Sequence, residues 1–407
     1  MNKSSSGEEN VLEYVRKLKN LVKQHEDWRE RRTLNLIASE NFASLDARSF
    51  LSGDLSNRYT ARDHFYMGTK FTDQVELLAV DLAKKLYRAK YADVRPLSGH
   101  TCSLILFLSF LKSHDKVVTC PPKFGGYPGS SNLGLGGLLG LRNLYFPYDG
   151  KTMNIIPYAT RKMIERERPR MTIFGSSFIP FPYDIEDSLP QRYGGITVYD
   201  GSHVMGLIAG GKFQEPLNEG CSVLMGSTHK SFFGPQGGLI LSNDEEVFST
   251  IDSKVYPGIV DNIHWNRVAS LCYSLLELIK FGSKYASQVV KNSKSLARSL
   301  DDLKIPVKCK EYGFTESHQV LLGYDEAKSK QVAKRLEQLD IITDTGIRLG
   351  TSEVTRRGMR EPQMEEIAQL VSDSLSGRGQ SSSYDAIRRR VHKLTGEFSG
   401  VEFTFAE

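Results

Sequence analysis

The sequence predicts an α/β fold with a mostly parallel central sheet in a large domain, followed by a smaller α+β domain. Short apolar segments of strand length alternate with segments of helical periodicity, which is typical of a parallel sheet with helices on both faces. The chain has 407 residues, more than one hydrophobic core usually supports. We therefore predict an N-terminal helical arm over residues 1–50, a large domain over 51–265 and a small domain over 266–407, with a polar linker at 377–383.

The elements follow in order along the chain. Apolar positions at helical spacing predict an amphipathic arm at residues 10–32. The same periodicity predicts helices at residues 73–88, 102–111 and 265–300. The strands expected in the sheet are short apolar runs at residues 92–95, 116–120, 142–146, 171–174, 195–200, 222–226 and 238–242. Ligands of such sheets bind at the carboxyl ends of the strands, so the residues that follow them are the first candidates for a site.

The charge and the cysteines exclude several classes of partner. The net charge is +5, from 53 basic and 48 acidic residues without a long block of one sign, which argues against nucleic-acid and membrane binding. The five cysteines are widely separated and show no zinc-ligand spacing. No secretion signal and no apolar run of membrane-spanning length is present in this sequence. We expect a cytoplasmic protein without a metal site.

A lysine in the segment from Ser227 to Gly238 is the first candidate for chemistry. Lys230 follows Thr228 and His229 and precedes a turn rich in glycine and proline. An amine in that place could form a Schiff base with a carbonyl cofactor. The alternative is an ordinary exposed lysine, which is the commoner situation, so other motifs must decide.

Two further motifs would complete a cofactor site. Ser98, Gly99 and His100 stand at a predicted helix start, where backbone N–H groups and a hydroxyl could bind a phosphate. An ordinary helix cap is the alternative. Asp200 ends a predicted strand three residues before His203 and could keep a pyridine nitrogen protonated, or it could be an ordinary loop carboxylate.

An arginine inside an apolar strand suggests a place for the substrate. Arg348 lies among apolar residues and glycines, where a charge is costly unless it is paired. Its planar guanidinium suits a carboxylate, so the α-carboxylate of an amino acid is a natural partner. A structural salt bridge is the competing interpretation.

In this order along the chain, the motifs resemble the serine hydroxymethyltransferase family of fold-type I pyridoxal-phosphate enzymes. The resemblance is closest to archaeal members. The matching segments are residues 35–41, 200–210, 227–238, 314–319 and 346–359. The resemblance implies the fold of these enzymes, pyridoxal 5'-phosphate as cofactor and a homodimer with shared active sites.

The resemblance also implies a role for each matching position. Lys230 would form the Schiff base, with His229 as its catalytic neighbour, and Asp200 would pair with the pyridine nitrogen. The other positions implied to contact the cofactor are Ser98, Gly99, His100, Ser177, His203, Thr228, Tyr59 and Gly258. Arg348, Ser39 and Tyr66 would bind the substrate, and Tyr66 would also take part in catalysis. Tyr59, Tyr66 and Gly258 correspond to residues that family members reach across a dimer interface.

Three departures from the family pattern bear on the reaction. The family's proton-handling glutamate is replaced by Ala61 in a shortened segment, where Asp63 and His64 are the candidate replacements. Tyr127 stands where the family stacks a histidine on the cofactor, and a tyrosine can stack as well. The family's longer loop before Gly346, which helps enclose the pterin carrier, is missing. The use of a tetrahydropterin is therefore left open.

The retained residues predict an enzyme that makes or breaks the Cα–Cβ bond of a β-hydroxy amino acid, with an aldehyde or one-carbon acceptor. Serine/glycine hydroxymethyl transfer lies within this prediction, with or without a pterin. One alternative is a threonine aldolase-like or transaldolase enzyme, which passes a glycine carbanion to an aldehyde. An alternative of another class is a cofactor-binding, catalytically idle partner subunit.

Overall fold

The strands of the protein are short and are spread over most of its length. A computed structural model describes residues 5–60, 65–191, 193–346, 348–376 and 381–405. Its strands are, in chain order, β1 (Leu34–Asn35), β2 (Tyr91–Asp93), β3 (Lys116–Thr119), β4 (Arg142–Tyr145), β5 (Tyr148–Asp149), β6 (Asn154–Ile155), β7 (Met171–Phe174), β8 (Ile196–Asp200), β9 (Val223–Ser227), β10 (Gly238–Ser242), β11 (Gln319–Leu321), β12 (Ile341–Ile342) and β13 (Arg348–Gly350).

A seven-stranded sheet within the described residues has the order β2-β10-β9-β8-β7-β3-β4. Strands from β9 to β4 run parallel to their neighbours, whereas β10 is antiparallel to both β9 and β2. The prediction of a mostly parallel sheet is confirmed. Every residue of β7, β9 and β10 is buried, as expected for strands covered on both faces. The carboxyl ends of β8 and β9 are adjacent, so Asp200 and the lysine segment share one edge of the sheet.

Helices cover the sheet and build the C-terminal part of the chain. They are α1 (Ser5–Arg29), α2 (Leu45–Ser49), α3 (Thr72–Tyr87), α4 (Gly99–Phe110), α5 (Leu135–Leu138), α6 (Pro157–Glu167), α7 (Ile185–Ser188), α8 (Met205–Ala209), α9 (Glu245–Lys254), α10 (Trp265–Asp302), α11 (Glu326–Glu337), α12 (Ser352–Arg356), α13 (Glu361–Ser376) and α14 (Ser381–Glu397). Helix α4 begins before the predicted residue 102 because the Ser98 side chain caps it. No helix in the described ranges combines the length and the apolar composition that a membrane span requires.

Two main hydrophobic cores share helix α10. The larger contains the sheet and the first half of α10, up to Val289. The smaller packs the end of α10 against α11, α13 and α14 and includes Leu34 and Leu36 from the N-terminal segment. The predicted boundary at residue 265 coincides with the first residue of α10, and a division into domains there remains a prediction. Helix α14 begins inside the predicted linker, and residues 377–380 lie outside the described residues.

A buried ion pair joins distant parts of the chain. The side chains of Arg356 and Glu277 lie 2.9 Å apart, and neither is exposed to solvent. Arg356 Nη1 donates hydrogen bonds of 2.6 Å to the backbone carbonyls of Glu402 and Phe403. Its guanidinium also lies 3.9 Å from the centre of the Phe233 ring, in the turn after the predicted Schiff-base lysine. Arg356 therefore connects α12, α10, the C-terminal tail and that turn.

Replacement of Glu277 by alanine should destabilise the protein strongly. It leaves the Arg356 guanidinium buried without its carboxylate, and removing one partner of such a pair typically costs about 3–5 kcal/mol. Chemical denaturation would measure the free energy of unfolding. As a control, Glu326→Ala breaks the exposed pair with Lys330 and should leave the transition nearly unchanged. Equal stability of Glu277→Ala and the parent would contradict this account of Arg356.

Candidate active site

A small cavity lies at the carboxyl ends of β8 and β9. Its volume is about 70 Å³, and its lining consists of Gly99, His100, Tyr127, Ser176, Ser177, Asp200, Ser202, His203, Ser227 and Lys230. The lining residues that sequence reasoning did not propose are Ser176, Ser202 and Ser227. Their positions beside Ser177, Asp200 and Lys230 in the sequence are the signal that could have found them.

Lys230 is held by its backbone and tuned by its surroundings. Its carbonyl accepts hydrogen bonds from Asn41 Nδ2 at 2.8 Å and from the Phe233 amide at 3.1 Å. Burial lowers the pKa of the Lys230 amine; the Asp200 carboxylate opposes this shift and the Arg348 charge adds to it. A lowered pKa increases the share of neutral amine, which is the form that attacks a carbonyl carbon.

One oxygen of Asp200 is fixed and the other is available. Asp200 Oδ1 accepts from the Ser202 amide at 3.0 Å and from the Ser202 hydroxyl at 2.6 Å. The Ser202 hydroxyl in turn accepts from the Ser227 amide at 3.1 Å. Among the described residues, Oδ2 has no hydrogen-bond partner. The carboxylate is therefore oriented and can accept one further proton donor in the cavity.

Gln319 determines which nitrogen of His203 carries the proton. The side-chain oxygen of Gln319 accepts from the Ile179 amide at 3.0 Å. Its amide nitrogen is therefore the donor, at 3.1 Å, to both the Ser177 carbonyl and His203 Nδ1. Since Nδ1 accepts, the imidazole proton lies on Nε2. Burial, with the Lys230 charge, lowers the pKa of His203 well below its ordinary value, so the ring is neutral.

Arg348 reaches the cavity wall through a backbone carbonyl. Its Nη1 donates a 2.7 Å hydrogen bond to the carbonyl of Ser177, which lines the cavity. Its Nε donates to Asp344 at 2.8 Å, and its guanidinium lies 5.4 Å from the centre of the Phe178 ring. The side chain is 13% exposed. The salt bridge considered as the alternative is thus present, and it leaves part of the guanidinium available to another partner.

The first turn of α4 offers backbone amides to an anion. Ser98 Oγ accepts from the Thr101 amide at 3.0 Å, whereas the amides at the very start of the helix have no intrahelical carbonyl to bond. A Cβ on Gly99 would stand 2.5 Å from Ser227 Oγ and 3.1 Å from Ser202 Oγ, so only glycine lets the start of the helix approach these hydroxyls. This cradle, beside the amine and the oriented carboxylate, fits a phosphate-bearing carbonyl cofactor.

Two predicted residues close one side of the cavity together. The hydroxyl of Tyr127 and Nδ1 of His100 lie 3.2 Å apart, within hydrogen-bond distance. Burial is the main reason why the pKa of Tyr127 is raised, with a further contribution from the Asp200 carboxylate. The phenol is therefore protonated at neutral pH and can act as a hydrogen-bond donor.

Other predicted residues lie beside the cavity. The Thr228 hydroxyl donates to the Pro235 carbonyl at 2.6 Å, so it holds the turn around Lys230. His229 Nδ1 is buried without a partner among the described residues, and burial with the Lys230 charge lowers the pKa of His229 to about 4. Ser39 follows Ala38, whose carbonyl accepts a hydrogen bond from His318 Nε2.

The residues implied to cross a dimer interface lie outside the cavity of their own chain. The rings of Tyr59 and Tyr66 are 5.1 Å apart and are 48% and 37% exposed. Gly258 is in the turn Val255–Ile259. The candidate replacements for the glutamate, Asp63 and His64, lie outside the described residues. No cluster of metal-ligating side chains occurs within the ranges that the structure describes.

His318 is a buried residue to which sequence reasoning assigned no role. Its Nε2 donates to the Ala38 carbonyl at 3.0 Å, and its Nδ1 is buried without a partner among the described residues. The ring stacks on His203 with 5.9 Å between centroids. Burial lowers the pKa of His318 to about 3, with contributions from the charges of Arg348 and Lys230. The motif at residues 314–319 pointed to this segment but not to this contact.

Comparison with known proteins places the chain among enzymes of one family. A family model described as serine hydroxymethyltransferase matches residues 12–371. The serine hydroxymethyltransferase of Methanothermobacter marburgensis is 36% identical over 97% of this chain and 96% of its own length. That of Methanocaldococcus jannaschii is 39% identical over 95% of this chain and 94% of its own length. The predicted resemblance to archaeal members of the family is confirmed.

A solved structure has the same fold. The crystal structure of L-threonine transaldolase from Pseudomonas fluorescens, in the internal aldimine state, matches with a TM-score of 0.89 and 26% identity. The match covers 98% of this chain and 96% of that protein. The predicted fold class, that of fold-type I pyridoxal-phosphate enzymes, is confirmed.

The buried neutral His318 should make stability depend on pH. Its folded pKa of about 3 lies below the ordinary value, so the unfolded state binds more protons at mildly acidic pH. The free energy of unfolding should therefore fall as the pH drops below about 6.5, by up to about 1.4 kcal/mol per pH unit from this residue. His318→Gln should flatten the profile between about pH 6.5 and 5, measured by denaturant unfolding at several pH values.

Replacement of the exposed His25 by glutamine is the matched control and should leave the slope as it is. The same slope in His318→Gln and the parent would show that this imidazole is not kept neutral by burial.

Proposed function

Since the chain belongs to the serine hydroxymethyltransferase family, we propose that it breaks and forms the Cα–Cβ bond of β-hydroxy amino acids with an aldehyde and without a tetrahydropterin. The coarser part is established by the comparisons: the protein is a pyridoxal-phosphate-dependent transferase or aldolase acting on amino acids of the serine or threonine type. The acceptor, the pterin independence and the residue roles belong to the proposal.

The convergence of Lys230, Asp200 and Arg348 around one cavity carries the proposal. Pyridoxal phosphate, when bound, supplies the electron sink for a bond broken at Cα. Lys230 would hold its carbonyl carbon through Nζ. The available oxygen of Asp200 would keep the proton on its pyridine nitrogen. The first turn of α4, at Ser98, Gly99 and His100, would bind its phosphate.

The remaining cavity residues would orient the cofactor and the substrate. His203 carries its proton on Nε2 and would donate it to the ring hydroxyl group. Tyr127 would stack on the ring, as an aromatic side chain on the cavity wall can. Arg348 would bind the α-carboxylate of the amino acid, together with Ser39.

The short connection before β13 supports pterin independence. Only residues 343–347 join β12 to β13, where family members carry a longer loop that helps enclose the pterin. The family's glutamate position is alanine in this sequence. Both features remove groups that serve one-carbon transfer, while the residues for amino-acid binding are retained. The similarity to a threonine transaldolase favours an aldehyde as the acceptor.

The assay that tests this function incubates the holoenzyme with L-serine or L-threonine, with and without tetrahydropterin, and measures glycine and aldehyde. We expect glycine to form at similar rates under both conditions, because the connection before β13 is short and the family's glutamate position is alanine. A second aldehyde, such as benzaldehyde, should yield a new β-hydroxy amino acid from L-threonine if the glycine unit is transferred.

Lys230→Ala is the control, and it should lose turnover and the covalent capture of cofactor on borohydride reduction. A strict requirement for pterin would overturn the pterin-independent proposal but not the aldol chemistry. Absence of glycine under every condition, with cofactor bound, would instead support a catalytically idle partner subunit.

Exposed apolar residues support the proposal of a homodimer. Val11, Val15, Leu18 and Val22 follow one face of α1, and each is at least 42% exposed. A contiguous apolar stripe of this kind marks an interaction surface. Tyr59 and Tyr66 are also exposed and lie outside the cavity of their own chain. Contact with a second copy would cover the stripe and bring these tyrosines to the partner's active site.

Subunit mixing tests the shared site. Lys230→Ala and Tyr66→Ala homodimers should each be nearly inactive, because each lacks a residue of both sites. Unfolding and refolding them together should restore about a quarter of the parental activity, since half of the dimers then hold one intact site. No recovery, in a mixture shown by light scattering to be dimeric, would place Tyr66 in its own chain's site, and a Tyr66→Ala homodimer with parental activity would place it outside catalysis.

The cysteines support the proposal of a cytoplasmic location. All five are unpaired and buried, as expected in a reducing compartment.

A further inference from the structure

The Asp344 carboxylate, in the turn before β13, binds Arg348, the arginine proposed to contact the substrate. Asp344 Oδ2 accepts from Arg348 Nε at 2.8 Å. The other oxygen, Oδ1, accepts from the Gly346 amide at 2.9 Å and from the Arg348 amide at 3.4 Å. Asp344 therefore fixes the backbone that carries Arg348 and the side chain of Arg348 at the same time.

The guanidinium is fixed on a second side as well. Its Nη1 donates to the Ser177 carbonyl at 2.7 Å, and its face lies over the Phe178 ring. Among the described residues, Nη2 has no hydrogen-bond partner. A planar group bonded at Nε and at Nη1 cannot rotate freely, so the edge that contains Nη2 is presented in one direction.

We propose that Asp344 is a positioning residue that orients Arg348 for the α-carboxylate of the amino-acid substrate. The proposal rests on the proposed function, in which Arg348 binds that carboxylate. Asp344 itself would not touch the substrate. It would act by removing the rotational freedom of a long side chain before the ligand arrives, so that less conformational entropy is lost on binding.

The electrostatic environment favours the same role. The side chains of Arg348 and Asp344 are only 13% and 22% exposed, so an unpaired guanidinium would be costly there. Asp344 compensates the charge through Nε alone, and this leaves donors on the opposite edge. The arrangement thus keeps the arginine paired in the free enzyme without occupying the donors that a carboxylate needs.

Loss of Asp344 should weaken only ligands that carry a carboxylate. The affinity for glycine should depend on Asp344, because Arg348 would contact the glycine carboxylate. The affinity for methylamine, which has the amine but no carboxylate, should not depend on Asp344. A general disturbance of the cavity would weaken both ligands, so the comparison separates positioning from a structural role.

The experiment titrates the holoenzymes of the parent and of Asp344→Asn with glycine and with methylamine, following the visible absorbance of the bound cofactor. Asparagine keeps an oxygen for the Gly346 amide but replaces the acceptor of Arg348 Nε by an amide group. We expect the dissociation constant of glycine to rise about tenfold, as for the loss of one charge-assisted hydrogen bond. The value for methylamine should stay within about twofold of the parent.

A second acid–arginine pair provides a matched control. Glu353 and Arg357 have the same spacing, with 3.1 Å between Oε1 and Nε and side chains of similar burial. Among the described residues, this pair makes no hydrogen bond to the cavity wall, whereas Arg348 bonds the Ser177 carbonyl. Glu353→Gln removes the same type of charge. It should lower the midpoint of thermal unfolding as much as Asp344→Asn does, or more, and leave glycine binding unchanged.

Arg348→Ala distinguishes failure of this inference from failure of the proposed function. If Arg348→Ala weakens glycine binding but Asp344→Asn does not, Asp344 is not a positioning residue and the function stands. If Arg348→Ala leaves glycine binding intact, the carboxylate assignment itself is wrong. In the double variant Asp344→Asn should add nothing to Arg348→Ala. Equal weakening of glycine and methylamine, or tighter glycine binding by Asp344→Asn, would overturn the inference.

Discussion

The buried pair of Arg356 and Glu277 is the interaction on which the arrangement of this protein most depends. Two charges without solvent exposure are tolerated only when they are paired and hydrogen-bonded, and Arg356 Nη2 donates to Glu277 Oε2 at 2.9 Å. The partners of Arg356 are the carbonyls of Phe42, Glu402 and Phe403, from opposite ends of the chain. The N-terminal segment, helix α10 and the C-terminal tail must therefore all be in place before the arginine is stable in the interior.

This constraint extends to the candidate lysine, Lys230, through two short routes. The Phe233 ring, stacked on Arg356, belongs to a residue whose amide bonds the Lys230 carbonyl. Asn41 bonds the same carbonyl and the hydroxyl of Tyr285 on α10. The lysine carbonyl is thus bonded by Asn41 and Phe233, which are held in turn by Tyr285 of α10 and Arg356 of α12. Its side chain remains free for a cofactor, in a cavity whose positive charges help to keep the neighbouring histidines neutral.

The fold was largely predictable because its signals are local. Apolar runs predicted the main strands, and helical periodicity predicted α3 and α10, in which Gly282 causes no break. The strand Leu34–Asn35 is absent from the predicted strands, because its partner is the two-residue strand β12. Such pairing depends on a segment some three hundred residues away, and no local pattern can report it.

The sequence by itself determined the candidate lysine, the aspartate after β8 and the helix start that offers amides, because each is a residue type at a fixed place relative to one strand or helix. It also determined the family, because the motifs occur in the family's order along the chain. Only the tertiary structure decided that Gln319 sets the tautomer of His203, that His318 is kept neutral and that Asp344 forms an ion pair with Arg348. These properties depend on burial and on hydrogen-bond direction. Both arise only when side chains from separate elements are packed together, whereas sequence order records only neighbours along the chain.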